Sequence, residues 1–289
     1  MPTRIITDSG SDIVGFDHPS LTVLPLTVMF GDRLYHDGAD LTHEKFYELL
    51  VESDSLPSTG APAPGAFAEA YDAARAAGEE VVVVTLSSKL SGTYQSACVA
   101  ADGRDDVRVV DSLTASLGEQ ILVHLALTMA ERGEGATSIA EGLREARGRV
   151  RVIGLLDTLE YLRRGGRIPA AAAALGAMLS VKPVVTAEDG EVVLLGKARG
   201  SRNGRNILNE TVRRDGGIDY AMPFALGYSG LSDSLLRKYV EDSRGLWDGM
   251  VDGLPVCTLG ATIGTYAGPG SIVLAYFKAD GVRDGARVR

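Results

Sequence analysis

The residues best suited to chemistry stand where apolar β-branched runs give way to hydroxyls and acids. The clearest case is Val81-Val82-Val83-Val84-Thr85-Leu86-Ser87-Ser88-Lys89-Leu90-Ser91-Gly92-Thr93-Tyr94. A buried strand over residues 81–86 leads into hydroxyls and then into a helix beginning near Ser91, so Ser91 can serve both as N-cap and as ligand contact. The first turn of such a helix leaves backbone N–H groups without intrahelical partners, among them those of Gly92 and Thr93, beside the positive end of the helix dipole. That combination seats an anion, and Gly92 lets it approach the backbone closely. Read alone, the same residues also describe an ordinary capped helix.

The loop Pro57-Ser58-Thr59-Gly60-Ala61-Pro62-Ala63-Pro64-Gly65 should reach the same sheet edge, where the Thr59 hydroxyl can donate to the same anion. Its other reading is a proline-stiffened turn. Asp8-Ser9-Gly10-Ser11-Asp12 and Asp111-Ser112 also follow strand-like runs. Carboxylates there suit acid–base work or magnesium, or they cap turns and helix starts. In the first case Asp8, Asp12 or Asp111 would serve a transferase or hydrolase acting on a small phosphorylated or acidic substrate. Arg163-Arg164-Gly165-Gly166-Arg167 puts cations near a helix C-terminus, to offset its dipole or to dock a partner. Arg199, just past a hairpin, is the other cation in a position to matter.

Other chemistries lack their residues. His18, His36, His43 and His124 show no i, i+4 spacing and lie near no cysteine, so no transition-metal site is expected, and the carboxylate spacing of a calcium loop is missing too. Residues 190–197 miss the P-loop spacing by one and place Ala198 where Ser or Thr must hold magnesium. Gly227-Tyr228-Ser229-Gly230 fails the spacing of a nucleophile elbow. A net charge of -9 has the wrong sign for neutralising phosphates, which argues against nucleic acid as a partner. No apolar run reaches the roughly 18 residues of a membrane span, and no signal peptide precedes the first strand. Cys98 and Cys257, far apart, read as buried thiols of a reducing compartment, so a cytoplasmic protein without membrane insertion is expected. With no complete hydrolytic or redox apparatus, binding is favoured over catalysis.

The elements that must position these groups follow from periodicity. With 45% hydrophobic and 23% charged residues in 289, the chain can bury a large core and reads as two domains. Strands over residues 4–7, 81–86 and 107–110, with helices over 66–77 and 119–131, make a parallel sheet whose turns share one edge. Residues 23–40 read as a hairpin around Gly31-Asp32. A second unit begins near residue 150, with a strand over 151–155, a helix over 158–164, an alanine-rich run over 170–179 and a hairpin over 183–197 turned by Asp189-Gly190. Strands over 223–228, 256–263 and 271–277 follow, with a helix over 233–242 and a polar, frayed tail over 278–289. The glycines at 260, 264 and 268 are assigned to a strand passing into a loop.

Taken in order, Thr7-Asp8-Ser9-Gly10-Ser11-Asp12, the Thr59 loop, Ser87 to Tyr94, Asp111-Ser112, Leu159-Glu160-Tyr161-Leu162-Arg163-Arg164-Gly165-Gly166-Arg167-Ile168, Ser180-Val181-Lys182-Pro183 and Gly268-Pro269-Gly270 resemble the motifs of the DegV family of bacterial fatty-acid-binding proteins. The resemblance covers nearly the whole chain. It implies an α/β fold of two domains: a parallel-sheet domain over 1–150 with the carboxylate-binding loops, and a mixed-sheet domain over 151–289 that completes an acyl tunnel. It implies a long-chain fatty acid as the ligand, no cofactor, and no catalytic residues in this chain. A separate ATP-dependent fatty acid kinase would phosphorylate the carboxylate that this protein presents. Thr59 and Ser91 match the family's carboxylate contacts, with Gly92 beside them, and Arg199 matches an arginine associated with kinase engagement. The family often has Thr-Ser-Gln-Pro where this chain has Thr59-Gly60-Ala61-Pro62, and His-Thr-Gly-Pro-Gly where it has Tyr266-Ala267-Gly268-Pro269-Gly270. A phenol at 266 can still donate a hydrogen bond but cannot become the cation that imidazole can. A head-group cradle of hydroxyls and helix N–H groups, without a fixed cation, would leave the carboxylate nucleophilic. Against this stand the enzyme on Asp8, Asp12 or Asp111 and a lipid sensor with no kinase partner.

Overall fold

The computed structural model describes residues 1–53, 55–168, 181–247 and 249–279. The alanine-rich run at 170–179, Ser180 and the tail over 280–289 lie outside them. The chain order is β1 (Thr3–Asp8), β2 (Leu21–Leu24), β3 (Thr27–Phe30), β4 (Arg33–His36), α1 (His43–Glu52), β5 (Ser58–Gly60), α2 (Pro64–Ala76), β6 (Glu80–Thr85), α3 (Thr93–Ala101), β7 (Val107–Asp111), α4 (Leu117–Glu131) and α5 (Ala136–Ala146). It continues with β8 (Val150–Leu155), α6 (Glu160–Arg164), β9 (Val181–Glu188), β10 (Glu191–Arg199), α7 (Gly200–Arg214), β11 (Ala225–Tyr228), α8 (Ser234–Asp242), β12 (Val256–Thr258), α9 (Ala261–Ala267) and β13 (Ile272–Phe277).

Unbroken valine in β6 requires cover on both faces, and the first sheet supplies it. Its strands are all parallel in the order β2-β1-β6-β7. Ile5, Val82 and Val84 face α4, whereas Ile6, Val81 and Val83 pack with Phe67 and Tyr71 of α2 and Ala97 of α3. The second sheet is mixed, in the order β10-β9-β8-β13-β11-β12, with only β11 and β12 parallel. Its strands alternate in the same manner: Val152, Val185, Val273 and Phe277 join the core of α4, while Ile153, Val184 and Leu274 pack with Leu208 of α7 and Leu236 of α8. Helix α4 therefore lies between the sheets, and Leu117, Ile121, Leu122 and Val123 are fully buried because both sides of the helix meet apolar strands. The expected α/β class, with a parallel sheet followed by a mixed one, is the architecture found.

Helix ends follow local rules. Proline opens α2, left-handed Gly78 follows it, and left-handed Gly133 follows α4. The β9–β10 turn has positive φ at both Asp189 (49°) and Gly190 (85°), as a type I′ turn requires.

Three expectations are corrected. The hairpin is confined to β3 and β4, because β2 leaves it to pair in parallel with β1, where Leu21 and Val23 find apolar cover. The strand expected over 256–263 stops at Thr258, and residues 261–267 form α9: acidic side chains from the first part of the chain accept the N–H groups at its start, which favours a helix over the β-branched pattern. Cys98 and Cys257 are free thiols, half-buried rather than buried.

Because Leu122 lies fully buried between the two sheets, Leu122→Ala should lower unfolding free energy by about 2–5 kcal/mol. Urea denaturation with an unchanged slope checks this, and a loss below that of a surface substitution would contradict a single core shared through α4.

Candidate functional site

Where the C-terminal ends of the first sheet's strands approach the inner face of the second sheet, the chain forms a solvent-open pocket of about 900 Å³, a figure that includes the open solvent at its mouth. The lining has a mainly apolar part and a polar cluster. Val152, Gly154, Val185, Val192 and Val273 of the second sheet and Leu156 just after β8 form an apolar side, with one hydroxyl among them, Thr186, which donates to the Val152 carbonyl (2.7 Å). Thr59, Ser91, Arg167 and Tyr266 supply hydroxyls and one guanidinium.

Each polar group has an identifiable source. Thr59 sits on the three-residue strand β5, held opposite Val28 of β3. Its Oγ1 lies 2.6 Å from Tyr266 Oη. One of these hydroxyls must donate to the other, so the pair retains one O–H for a ligand. Ser91 Oγ accepts from the N–H of Thr93 (3.3 Å) and lies 2.9 Å from Thr93 Oγ1. Helix α3 starts at Thr93 with Gly92 as its N-cap, so Ser91 caps from one position earlier than the sequence indicates. Ser116 also reaches the cavity, but its hydroxyl donates to Asp12 Oδ2 at 2.5 Å.

The cation is Arg167. After α6, the N–H of Gly166 donates to the Arg163 carbonyl and that of Arg167 to the Leu162 carbonyl, with Gly166 left-handed at φ 71°. This is a Schellman termination, and it turns Arg167 back toward the cavity while Arg163 and Arg164 stay exposed and paired with Glu160. Arg167 Nε donates to the Leu90 carbonyl (3.2 Å) and Nη1 to the Gly165 carbonyl (2.7 Å). Its Cζ lies 4.7 Å from the centroid of the Tyr266 ring. A Cβ on residue 165 would stand 2.4 Å from that ring, so Gly165 is what lets the ring lie there.

The acids have other tasks. Asp8 accepts from the N–H groups of Gly10 (2.9 Å) and Leu86 (3.0 Å). Asp12 accepts from the N–H of Gly260 (2.7 Å) as well as from Ser116. Asp111 accepts from the N–H groups of Ser88 and Leu113. None of the three lines the cavity. Burial pushes the Asp8 carboxyl up to about 7, and it pushes Asp12 and Glu119 well above the usual carboxylate range. Among the described residues no cluster of three or more His, Cys, Asp or Glu could hold a metal ion, and no helix is long and apolar enough to cross a membrane.

Of the residues singled out in the sequence, Thr59, Ser91 and Tyr266 meet at one cavity. Gly92 is exposed at the N-cap beside Ser91 and does not line it. Arg199 is exposed at the end of β10, opposite Val181, and lies outside the lining. Arg167 corrects the expectation of a cradle without a cation. Its signal was Gly165-Gly166: the helix ends at Arg164 as the sequence indicates, and the reversal that follows separates Arg167 from Arg163 and Arg164.

Residues 2–279 match the family model described as "Uncharacterised protein, DegV family". A DegV domain-containing protein of Deinococcus radiodurans is 34% identical over 285 residues, covering 95% of this chain and 98% of that protein. A solved DegV family protein from Thermus thermophilus, described by its fatty acid binding, is 32% identical with a TM-score of 0.83, over 96% of this chain and 100% of the other. The Streptococcus pneumoniae Fatty Acid Kinase (Fak) B3 protein loaded with linoleic acid is similar in fold, with a TM-score of 0.83 at 20% identity over 96% of this chain and 100% of that one.

The buried acids predict a pH dependence of stability. The folded protein holds the Asp8 proton up to about pH 7, whereas an unfolded chain releases it near the ordinary value of 3.8. Protonation is thus stronger in the folded state, and Asp8's contribution to stability declines as pH rises from about 4 to 7. Unfolding free energies of the parent and Asp8→Asn across that range test it: the difference between them should shift against the parent as pH rises, and a constant difference would exclude it.

Proposed function

Because the chain belongs to the DegV family, we propose that it binds a long-chain fatty acid in this cavity and presents the carboxylate to a separate ATP-dependent fatty acid kinase. The observation that carries the reading is the division of the lining, mainly apolar along the second sheet and polar at the cluster of Thr59, Ser91, Tyr266 and Arg167. Burying a methylene gains roughly 0.8 kcal/mol, so the tail supplies most of the affinity. The carboxylate must be compensated as it leaves water. The Thr59–Tyr266 pair and Ser91 offer O–H donors, with the start of α3 at Gly92 beside them, and Arg167 adds positive potential. Two of the guanidinium donors of Arg167 are already bound to carbonyls, which limits how tightly it can clamp the head group.

In this reading the chain is a carrier and not itself a catalyst, and it needs no cofactor. The commitment of Asp8, Asp12 and Asp111 to backbone N–H groups supports the carrier over a transferase or hydrolase built on them. A domain boundary near residue 150 fits the change of sheet between β7 and β8. Arg199, exposed at the end of β10, is the proposed contact for the kinase or its nucleotide.

Mass spectrometry of denatured protein should find about one fatty acid per chain, and absence of both retained lipid and calorimetric binding would exclude the reading. Thr59→Ala and Ser91→Ala should each weaken binding by about 1.5–3 kcal/mol, the worth of a hydrogen bond to a charged group. A Cβ at Gly154 would rest 3.5–3.6 Å from Val273, Leu156 and Val185, so Gly154→Leu projects into the tunnel and should abolish binding of long acids with the fold intact by circular dichroism.

Arg199→Ala should leave fatty-acid affinity unchanged and reduce acyl-phosphate formation with kinase and ATP, more so at low salt. Turnover equal to the parent at both salt concentrations would remove the docking role.

A further inference from the structure

The inner wall of the polar end is α9, which contributes Thr262, Ile263, Tyr266 and Ala267 to the cavity. A helix start needs acceptors for its first N–H groups, normally from its own N-cap side chain. Here the N-cap is Gly260, and a local cap has no room: a Cβ there would stand 2.8 Å from His43 Nε2 and 3.2 Å from both Asp12 Oδ1 and Asp37 Oδ1. The acceptors come from the other end of the chain. Asp37 Oδ1 accepts from the N–H of Ala261 (3.0 Å) and Oδ2 from that of Thr262 (2.9 Å), while Asp12 Oδ1 accepts from Gly260. Asp37 is itself fixed, with its N–H donating to the Leu26 carbonyl and only 3% of its surface exposed. His43 and Tyr47 contact Thr258 and the Leu259 carbonyl, ahead of the helix, so Asp37 is the side chain that grips the first turn itself.

We propose that Asp37 is a positioning residue for carboxylate recognition: it does not touch the ligand, but by holding the first turn of α9 it sets where the Tyr266 hydroxyl stands. Tyr266 is one turn beyond Thr262 on the same face of the helix. Its 2.6 Å contact with Thr59 leaves little tolerance for rotation or translation of so short a helix. The inference rests on the fatty-acid reading above and names the residue that gives that site its preference for an acid head group.

The test is a double-mutant cycle read as discrimination between palmitic acid and its methyl ester, which share the tail and differ in the charge of the head. Asp37→Asn keeps the shape but opposes an amide N–H to a backbone N–H. It should lower the acid-over-ester affinity ratio about tenfold while changing ester affinity by less than about twofold. In a Tyr266→Phe background the same substitution should change the ratio by less than about twofold. Equal losses for acid and ester, or the same loss of ratio in both backgrounds, would overturn the role and leave fatty-acid binding standing. A parent that binds neither compound, or both alike, would instead overturn the functional reading. Asp37→Glu, with both acceptor oxygens on a longer arm, goes through the same cycle. If Asp37→Asn does not fold, a ratio lowered by Asp37→Glu only in the presence of Tyr266 supports the role, and an unchanged ratio overturns it.

Discussion

Two buried carboxylates, Asp12 and Asp37, accept the N–H groups of three successive residues, Gly260, Ala261 and Thr262. The contact spans more than two hundred positions, and the cavity depends on it. It lets a helix start where no local cap can fit, and it fixes that helix against the loops that follow β1 and β4. The same few residues join the first sheet's edge to the second sheet's β12 and deliver Tyr266 to Thr59. The N–H donors satisfy the oxygens of these buried carboxyl groups and so offset part of the cost of removing them from water.

The opening segment is a scaffold of buried acceptors. Asp8 ties the strand end to Leu86, Asp12 ties Ser116 to Gly260, and Thr7 donates to the buried Glu119. The residues most suggestive of acid–base catalysis are thus ones that tie together the segments around the cavity. Their raised proton affinities are a consequence of burial, and structural networks produce such shifts as well as active centres.

Close approach explains the glycines around the cavity's polar cluster. Gly165 admits the Tyr266 ring, and a Cβ on Gly268 would stand 2.3 Å from the ring of Tyr161. The left-handed Gly166 reverses the chain so that Arg167 reaches the Leu90 carbonyl. Together they place a cation and an aromatic ring against the loop carrying Ser91. The resulting site combines paired hydroxyls with a guanidinium held partly by carbonyls, a polarity intermediate between a neutral cradle and a tight ionic clamp.

Local sequence determined the elements whose signals are local. Periodicity marked β1, β6 and β7, proline and glycine bounded α2, and Asp189-Gly190 turned β9 into β10, because strand burial, capping and turn geometry depend on neighbouring residues. Hydroxyls after β6 and in the Thr59 loop marked two of the cavity's polar residues for the same reason, and the family resemblance added Tyr266. Tertiary structure decided the rest. Residues 261–263 look like strand and became helix because Asp37 waits at their N-terminus. Residues 21–24 left the expected hairpin because β1 offered an apolar edge. Asp8 and Asp12 became acceptors for backbone N–H groups, and Arg167 joined the cavity. Each outcome turns on a partner from 15 to 248 positions away, at contacts such as Ile5 with the Ser20 carbonyl or Gly260 with Asp12, and no pattern of nearby residues records which distant group will be there.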